Sequence, residues 1–173
     1  SFPLEYGESL AKGGSGDKGA CESEGDQEGK EKRKSYGFSL SLLPGKHAVP
    51  TSMIEILYRS PDLPRPVRFL YTSDYHHGPE VCSPGGPTDV LIHEATYPHE
   101  GLPPATSHSS ARQAGIAAQK SGSRILFLCH FEATAYPLGI EAASEEANVA
   151  FRGKMIVPSL KEWYRIQDIL DWS

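Results

Sequence analysis

The chain has 173 residues with 17 Lys and Arg against 22 Asp and Glu, a net charge of −5 at pH 7 and a pI near 5.8. That length builds a domain core without a staple or an obligatory metal, and the acidic balance excludes a protein that holds nucleic acid by bulk electrostatics, leaving room only for a local basic patch. Three cysteines, Cys21, Cys82 and Cys129, are odd in number, widely spaced and without a C-x-x-C pair, so neither a disulfide framework nor a thiolate zinc knuckle is indicated.

No apolar run reaches the roughly 18 residues of a membrane span and no charged-then-apolar leader opens the chain. A soluble protein of a reducing, intracellular compartment is expected, the cytoplasm first, with nucleus or organelle left open. The chain opens on Ser1, which suggests a product excised from something longer.

Residues 1–10 read as a strand segment entering the domain. Residues 11–36, "AKGGSGDKGACESEGDQEGKEKRKSY", offer almost nothing to bury and read as a disordered insertion. Its acidic part (Glu22, Glu24, Asp26, Glu28) precedes a basic one (Lys30, Lys32, Arg33, Lys34), read as a solvated charge run.

From residue 37 to 173 the pattern is ordered. "FSLSLL" alternates, "MIEILY" and "VRFLYT" read as strands, and "DVLIH" and "RILFLC" are nearly continuous apolar runs suited to a sheet covered on both faces. Between the last two, "SSARQAGIAAQKSG" predicts a helix with Ser110 and Gln113 as a capping box and Gly122 as its stop. A second helix is predicted in "GIEAASEEANVAFRG", with Ile140, Ala143, Ala147 and Ala150 on one side and Gly153 at its end. "KMIVP" and "WYRIQ" then read as short strands. The fold class is α/β, with right-handed crossovers.

Potential ligands sit where such a sheet forms its sites, beyond the carboxyl ends of the strands. Asp74 follows "VRFLYTS", His93 and Glu94 end "DVLI", and His130 ends "RILFLC"; His47 follows "FSLSLLPGK", and His108 lies just before the first helix. Any one of these has a structural explanation, since a strand-end histidine is usually a hydrogen-bonded packing residue, Asp74 can cap a turn, and His76 and His77 can be loop surface. Jointly they make a zinc-type donor set in which a carboxylate can bridge two ions.

These blocks carry a resemblance to the metallo-β-lactamase fold, and within it to the ribonuclease Z branch. "KHAVPTSMIEILY" resembles that family's His-then-GYR segment, "RFLYTSDY" its F-S-G-D-T segment, and "DVLIHEATYP" its D-V-L-V-H-E-A-T-F block, the most specific match. "SHSSARQAGIAAQKSGSRILFLCHFEATAYP" is similar to its H-S-T and T-H-x-S-x-R-Y run, and "EANVAF" to the helix that follows, all in family order over residues 38–157. The resemblance implies an αββα sandwich and a zinc-dependent phosphodiesterase acting on tRNA precursors. It makes His47 a zinc ligand, Asp74 the carboxylate bridging two zinc ions and His130 a ligand of the second. Glu94 and His108 support catalysis, His108 protonating or orienting the leaving oxygen with its tautomer fixed by Glu94. Dimerisation is implied by the family alone.

The departures shape a further expectation. The family's His-x-His-x-Asp-His motif is absent: the seven histidines are His47, His76, His77, His93, His99, His108 and His130. The chain therefore resembles the C-terminal half of a two-half domain. It is expected to need its N-terminal half, in cis or in trans, for a full metal site, and to leave one sheet face uncovered. Tyr75 replaces the usual Thr after the bridging Asp, "FEATAYP" lacks the usual Arg, and "VPSLKEW" replaces an Asp-containing end. The 26 residues from 48 to 73 leave no room for a long tRNA-gripping arm. Two other readings compete: a truncated, inactive paralogue serving as a binding or scaffold module, and an ester or lactone hydrolase of the same fold.

Overall fold

The computed structural model describes residues 36–76, 81, 83–170 and 172. The strand expected in 1–10, His77, Cys21, Cys82 and the insertion of 11–36, except Tyr36, lie outside those residues. Six strands form one mixed sheet in sequential order: β1 Gly37–Pro44, β2 Ser52–Arg59, β3 Val67–Tyr71, β4 Val90–Glu94, β5 Ile125–Cys129 and β6 Lys154–Ile156. The first three pair antiparallel, and β3 to β6 run parallel. Parallel neighbours need crossovers, and α1 (Ala111–Lys120) and α2 (Ala142–Asn148) supply those flanking β5.

Helix α1 starts as its sequence dictates. The Ser110 hydroxyl accepts from the Gln113 N–H at 3.3 Å and the Ser110 N–H donates to Gln113 Oε1 at 2.8 Å, so two otherwise orphan donors are satisfied at once. Gly122 ends the turn at φ +66°, the left-handed region that glycine enters without Cβ strain. The buried stripe of α1 is Ala111, Ala114, Gly115, Ala117 and Ala118, small side chains that allow close approach to α2. A Cβ on Gly115 would strike the Ala147 carbonyl, so this position is glycine for packing.

The two faces of the sheet are covered differently. One face buries Leu70, Leu91, Leu126 and Leu128 against α1 and α2. On the other, Val67, Val90 and Ile125 are sealed by Leu63 and by the chain end, where Ile166, Ile169, Leu170 and Trp172 pack across them. That seal reaches only part of the face. In β1, Phe38, Leu40 and Leu42 stand opposite Tyr58, Ile56 and Ile54 of β2, and they are 73%, 54% and 66% exposed. The continuous apolar runs of β4 and β5 are thus buried on both sides as expected, while the antiparallel edge is greasy and open.

Two expectations need correction. "WYRIQ" is not a strand: Ile166–Ile169 form a short helix, α3. The alternation of Trp163, Tyr164 and Arg165 imitated a strand. Instead, Ile166 and Ile169, three apart, dock one turn onto the partly sealed face. The second helix also stops at Asn148, short of Gly153, whose missing side chain leaves room for the Arg124 carbonyl and the Phe151 ring.

Candidate active site

The carboxyl ends of β3, β4 and β5 deliver the site. Asp74 lies three residues past β3, Glu94 is the last residue of β4, and His130 immediately follows β5. Parallel register aligns the last two ends, with Glu94 beside Cys129. Two non-glycine residues at this rim are left-handed, Ser73 at φ 57° and His130 at φ 53°. Such backbone costs on the order of 1 kcal/mol per residue and persists where surrounding structure demands it. Here it turns Asp74 and His130 toward each other, with His130 Nδ1 3.0 Å from Asp74 Oδ1 and both side chains close to half exposed.

Glu94 is wholly buried and serves as the hub. Its Oε1 accepts from the Tyr75 N–H. Its Oε2 accepts from the Thr96 hydroxyl at 2.5 Å, from His108 Nδ1 at 3.0 Å and from the Ser109 N–H at 3.2 Å. Four donors converge on one carboxylate, two of them backbone amides, and one of these lies at the start of α1, where the helix dipole favours negative charge. These bonds satisfy a carboxylate that is cut off from solvent. Because it only accepts, His108 must carry its proton on Nδ1, leaving Nε2 free to act.

Around His108 the rings of His47 and His130 lie at 5.0 and 5.3 Å between centroids, and Tyr97 at 6.5 Å. His47 accepts the Val49 N–H on Nδ1 at 3.3 Å, and its Nε2 meets the Ser107 hydroxyl at 3.0 Å. The loop carrying Ser107 is pinned a second time by His76, whose Nδ1 lies 3.0 Å from the Thr106 carbonyl. His99 ties the same loop inward through Ser110 Oγ at 3.0 Å.

The structure therefore brings together all five expected site residues, His47, Asp74, Glu94, His108 and His130, drawn from five separate stretches of chain. Donor atoms of His47, Asp74 and His108 lie within 4.8 Å of one another, as do those of Glu94, His108 and His130. The first trio offers nitrogen and oxygen donors suited to a divalent ion, although His108 Nδ1 is already engaged by Glu94; among the described residues no group at that spacing joins His47, Asp74 and His130. In the second, Glu94 already accepts four hydrogen bonds, one of them from His108. His93 stays out of the site: it is buried, with Nδ1 2.7 Å from the Glu94 carbonyl and its ring edge-on to Tyr75.

Negative charge at this rim is felt by its neighbours. Cys129 is pushed up to about 11, first by burial and then by Glu94 and Asp74. Tyr71 is raised mainly by burial, with Cys129, Asp74 and Glu94 adding to it. The Cys129 thiol is accordingly a protonated packing group that leans on the His93 carbonyl at 3.5 Å. Sequence reasoning did not single out Thr96, Ser107 or Ser109. Ser109 was signalled by its place between His108 and the N-cap, whereas Ser107 meets His47 across sixty residues and had no local signal.

Over 92 residues the chain is 33% identical to ribonuclease Z of Haloarcula marismortui, and over 98 residues 33% identical to ribonuclease Z of Halorubrum lacusprofundi. The chain also superposes on the metallo-β-lactamase fold protein YhfI from Bacillus subtilis with a TM-score of 0.56 and 21% identity, covering 68% of this chain and 45% of that one. In fold the chain is of the metallo-β-lactamase type, and in sequence it is ribonuclease Z-like. No family model matches it. The ribonuclease Z alignments take in 52% and 55% of this chain but only 29% and 31% of the relatives, so the chain spans about a third of their length. Among the described residues no helix is long and apolar enough to cross a membrane.

Proposed function

We propose that this ribonuclease Z-like chain forms the C-terminal part of a zinc-dependent phosphodiester hydrolase that processes the 3′ ends of tRNA precursors or cleaves a related phosphodiester. The observation that carries the reading is the convergence of His47, Asp74, His108 and His130 around a buried, fully hydrogen-bonded Glu94. His47, Asp74 and His130 would hold zinc; bound there, the metal supplies Lewis-acid activation of the attacking water and of the phosphoryl oxygens. Glu94 holds the Nδ1–H of His108, so the doubly protonated ring would carry its second proton on Nε2, give that proton to the leaving oxygen and regain one from water. The ring sits at the edge of the site, part exposed, where a substrate can reach it.

Among the described residues the ligand set is incomplete for two ions, and β1 of the same domain exposes Phe38, Leu40 and Leu42. Both features fit a chain that needs the rest of the fold, in cis or in trans. The test is hydrolysis of bis(p-nitrophenyl) phosphate and of a 3′-extended tRNA precursor by the chain alone and with the remaining half-domain supplied. Chelator-sensitive cleavage by the assembled protein only is the expected result. Stoichiometric binding of two zinc ions and brisk turnover by the chain alone would overturn the need for a partner half.

One observation favours a second reading, a small-molecule ester or lactone hydrolase. Two residues past His130, where the resemblance leads one to expect a serine and then an arginine, Glu132 is exposed. Hydrogen bonds from the Thr134 hydroxyl and N–H hold it below the usual glutamate range. A carboxylate there disfavours a polyanion. Turnover of lactones without phosphodiester cleavage would select this alternative.

A further inference from the structure

We propose that Thr96 is a positioning residue that joins the Glu94–His108 pair to His130 and sets which His130 nitrogen faces the site. The inference rests on the metal-dependent reading above for its purpose, but its geometry stands apart from it. Thr96 Oγ1 lies 2.5 Å from Glu94 Oε2 and 3.4 Å from His130 Nδ1. A hydroxyl has one proton and two lone pairs, and the carboxylate can only accept, so the Thr96 proton is committed to Glu94. Toward His130 the oxygen can only accept. His130 must therefore carry its proton on Nδ1, which leaves the Nε2 lone pair for the site.

The result is a directed chain. His108 Nδ1–H and the Thr96 O–H both donate to Glu94 Oε2, and His130 Nδ1–H donates into the cleft between Thr96 Oγ1 and Asp74 Oδ1. Both imidazoles thereby present Nε2, the same atom with the same electron pair. The two acceptors on His130 differ in permanence. The Asp74 carboxylate, at 3.0 Å, is 44% exposed and belongs to the candidate cation group, so solvent and cation compete for its oxygens. Thr96 is buried at the root of the strand-end loop and is fixed by Glu94. When Asp74 engages a cation, Thr96 is the partner that keeps the His130 tautomer.

The experiment is 15N NMR of the histidine rings in the metal-free chain above the histidine titration range, for the native protein, Thr96→Val and Thr96→Ser. Valine matches threonine in volume, and serine restores the hydroxyl. Native His130 is expected in the Nδ1–H form. Thr96→Val should shift its tautomer ratio by about two- to tenfold, the worth of one net hydrogen bond, and Thr96→Ser should restore it. In the assembled protein Thr96→Val should weaken zinc binding by about tenfold or more, within the range for losing a group that orients a ligand. Native His130 protonated on Nε2 would overturn the proposal without any variant, as would an unchanged ratio in Thr96→Val. Absence of hydrolysis in an assembled protein whose His130 shows the Thr96-dependent tautomer would instead sink the hydrolase reading and leave this inference standing.

Discussion

At the amino ends of the parallel strands, Asp89 is held by Arg65 through two hydrogen bonds at 2.9 and 2.5 Å and by the Arg68 N–H at 2.9 Å. Trp172 lies 5.6 Å from the guanidinium groups of both Arg65 and Arg124. At the carboxyl ends, Asp74 and His130 are close to half exposed and pair with each other, and Ser73 and His130 stand on left-handed backbone. Both ends use an aspartate. One is neutralised within the fold and locks strands together; the other pairs with a histidine and stays nearly half open to solvent. The polar groups at the first end are arranged for stability, and those at the second are strained and open, the usual sign of a working site.

The contrast can be broken from either end. The largest effect is expected from His130→Ala, which should lower zinc affinity of the assembled protein at least about a hundredfold, the upper cost of losing a residue that merely supports a ligand. Titration with a competing chelator measures it, and the melting temperature of the metal-free protein should barely move. Asp89→Asn should do the reverse. It leaves Arg65 without its charged partner and should destabilise by about 2 kcal/mol in urea unfolding, a charge-assisted bond at a half-exposed arginine. Zinc affinity of the folded fraction should stay unchanged.

The Asp89 end also predicts a pH dependence. Burial acts to raise the Asp89 carboxyl, but the Arg65 hydrogen bonds and the Arg68 N–H outweigh it and hold it below the usual aspartate value. A depressed carboxyl binds its proton more readily in the unfolded chain. Its stabilisation is therefore complete above the ordinary aspartate range and is lost as pH falls through the lower, folded value. Native protein should lose more stability than Asp89→Asn on acidification across that window; parallel losses would refute the assignment. Gly115→Ala touches neither end and is the packing control, expected to cost about 1–3 kcal/mol because a methyl group meets the Ala147 carbonyl. The smallest effect should be a gain: Ser73→Gly relieves left-handed strain and should stabilise by about 0.5–1 kcal/mol in the same unfolding assay.

Much of this contrast was legible before any coordinates. The five strands from "FSLSLL" to "RILFLC" follow from apolar periodicity, and α1 from its capping box, because these signals act within a few residues. The candidate site was legible as positions, since Glu94 ends a strand, His47, Asp74 and His130 follow strands, and strand ends of an α/β sheet share a rim. Where the pattern failed, a distant partner had decided. "WYRIQ" turned into a helical turn because Ile166 and Ile169 had a hydrophobic surface to cover, and α2 ended early although Gly153 offered the expected stop.

Sequence by itself thus determined the element types, the order of the strands along the chain and the residues that could carry charge to the rim. Only the tertiary structure decided that Glu94 would accept four hydrogen bonds, that His93 would turn inward, and that Thr96 would stand between Glu94 and His130. Local propensity is a property of neighbouring residues. The direction of a hydrogen bond depends on which donors from positions 75, 96, 108 and 109 arrive around one buried carboxylate, and only folding brings them there.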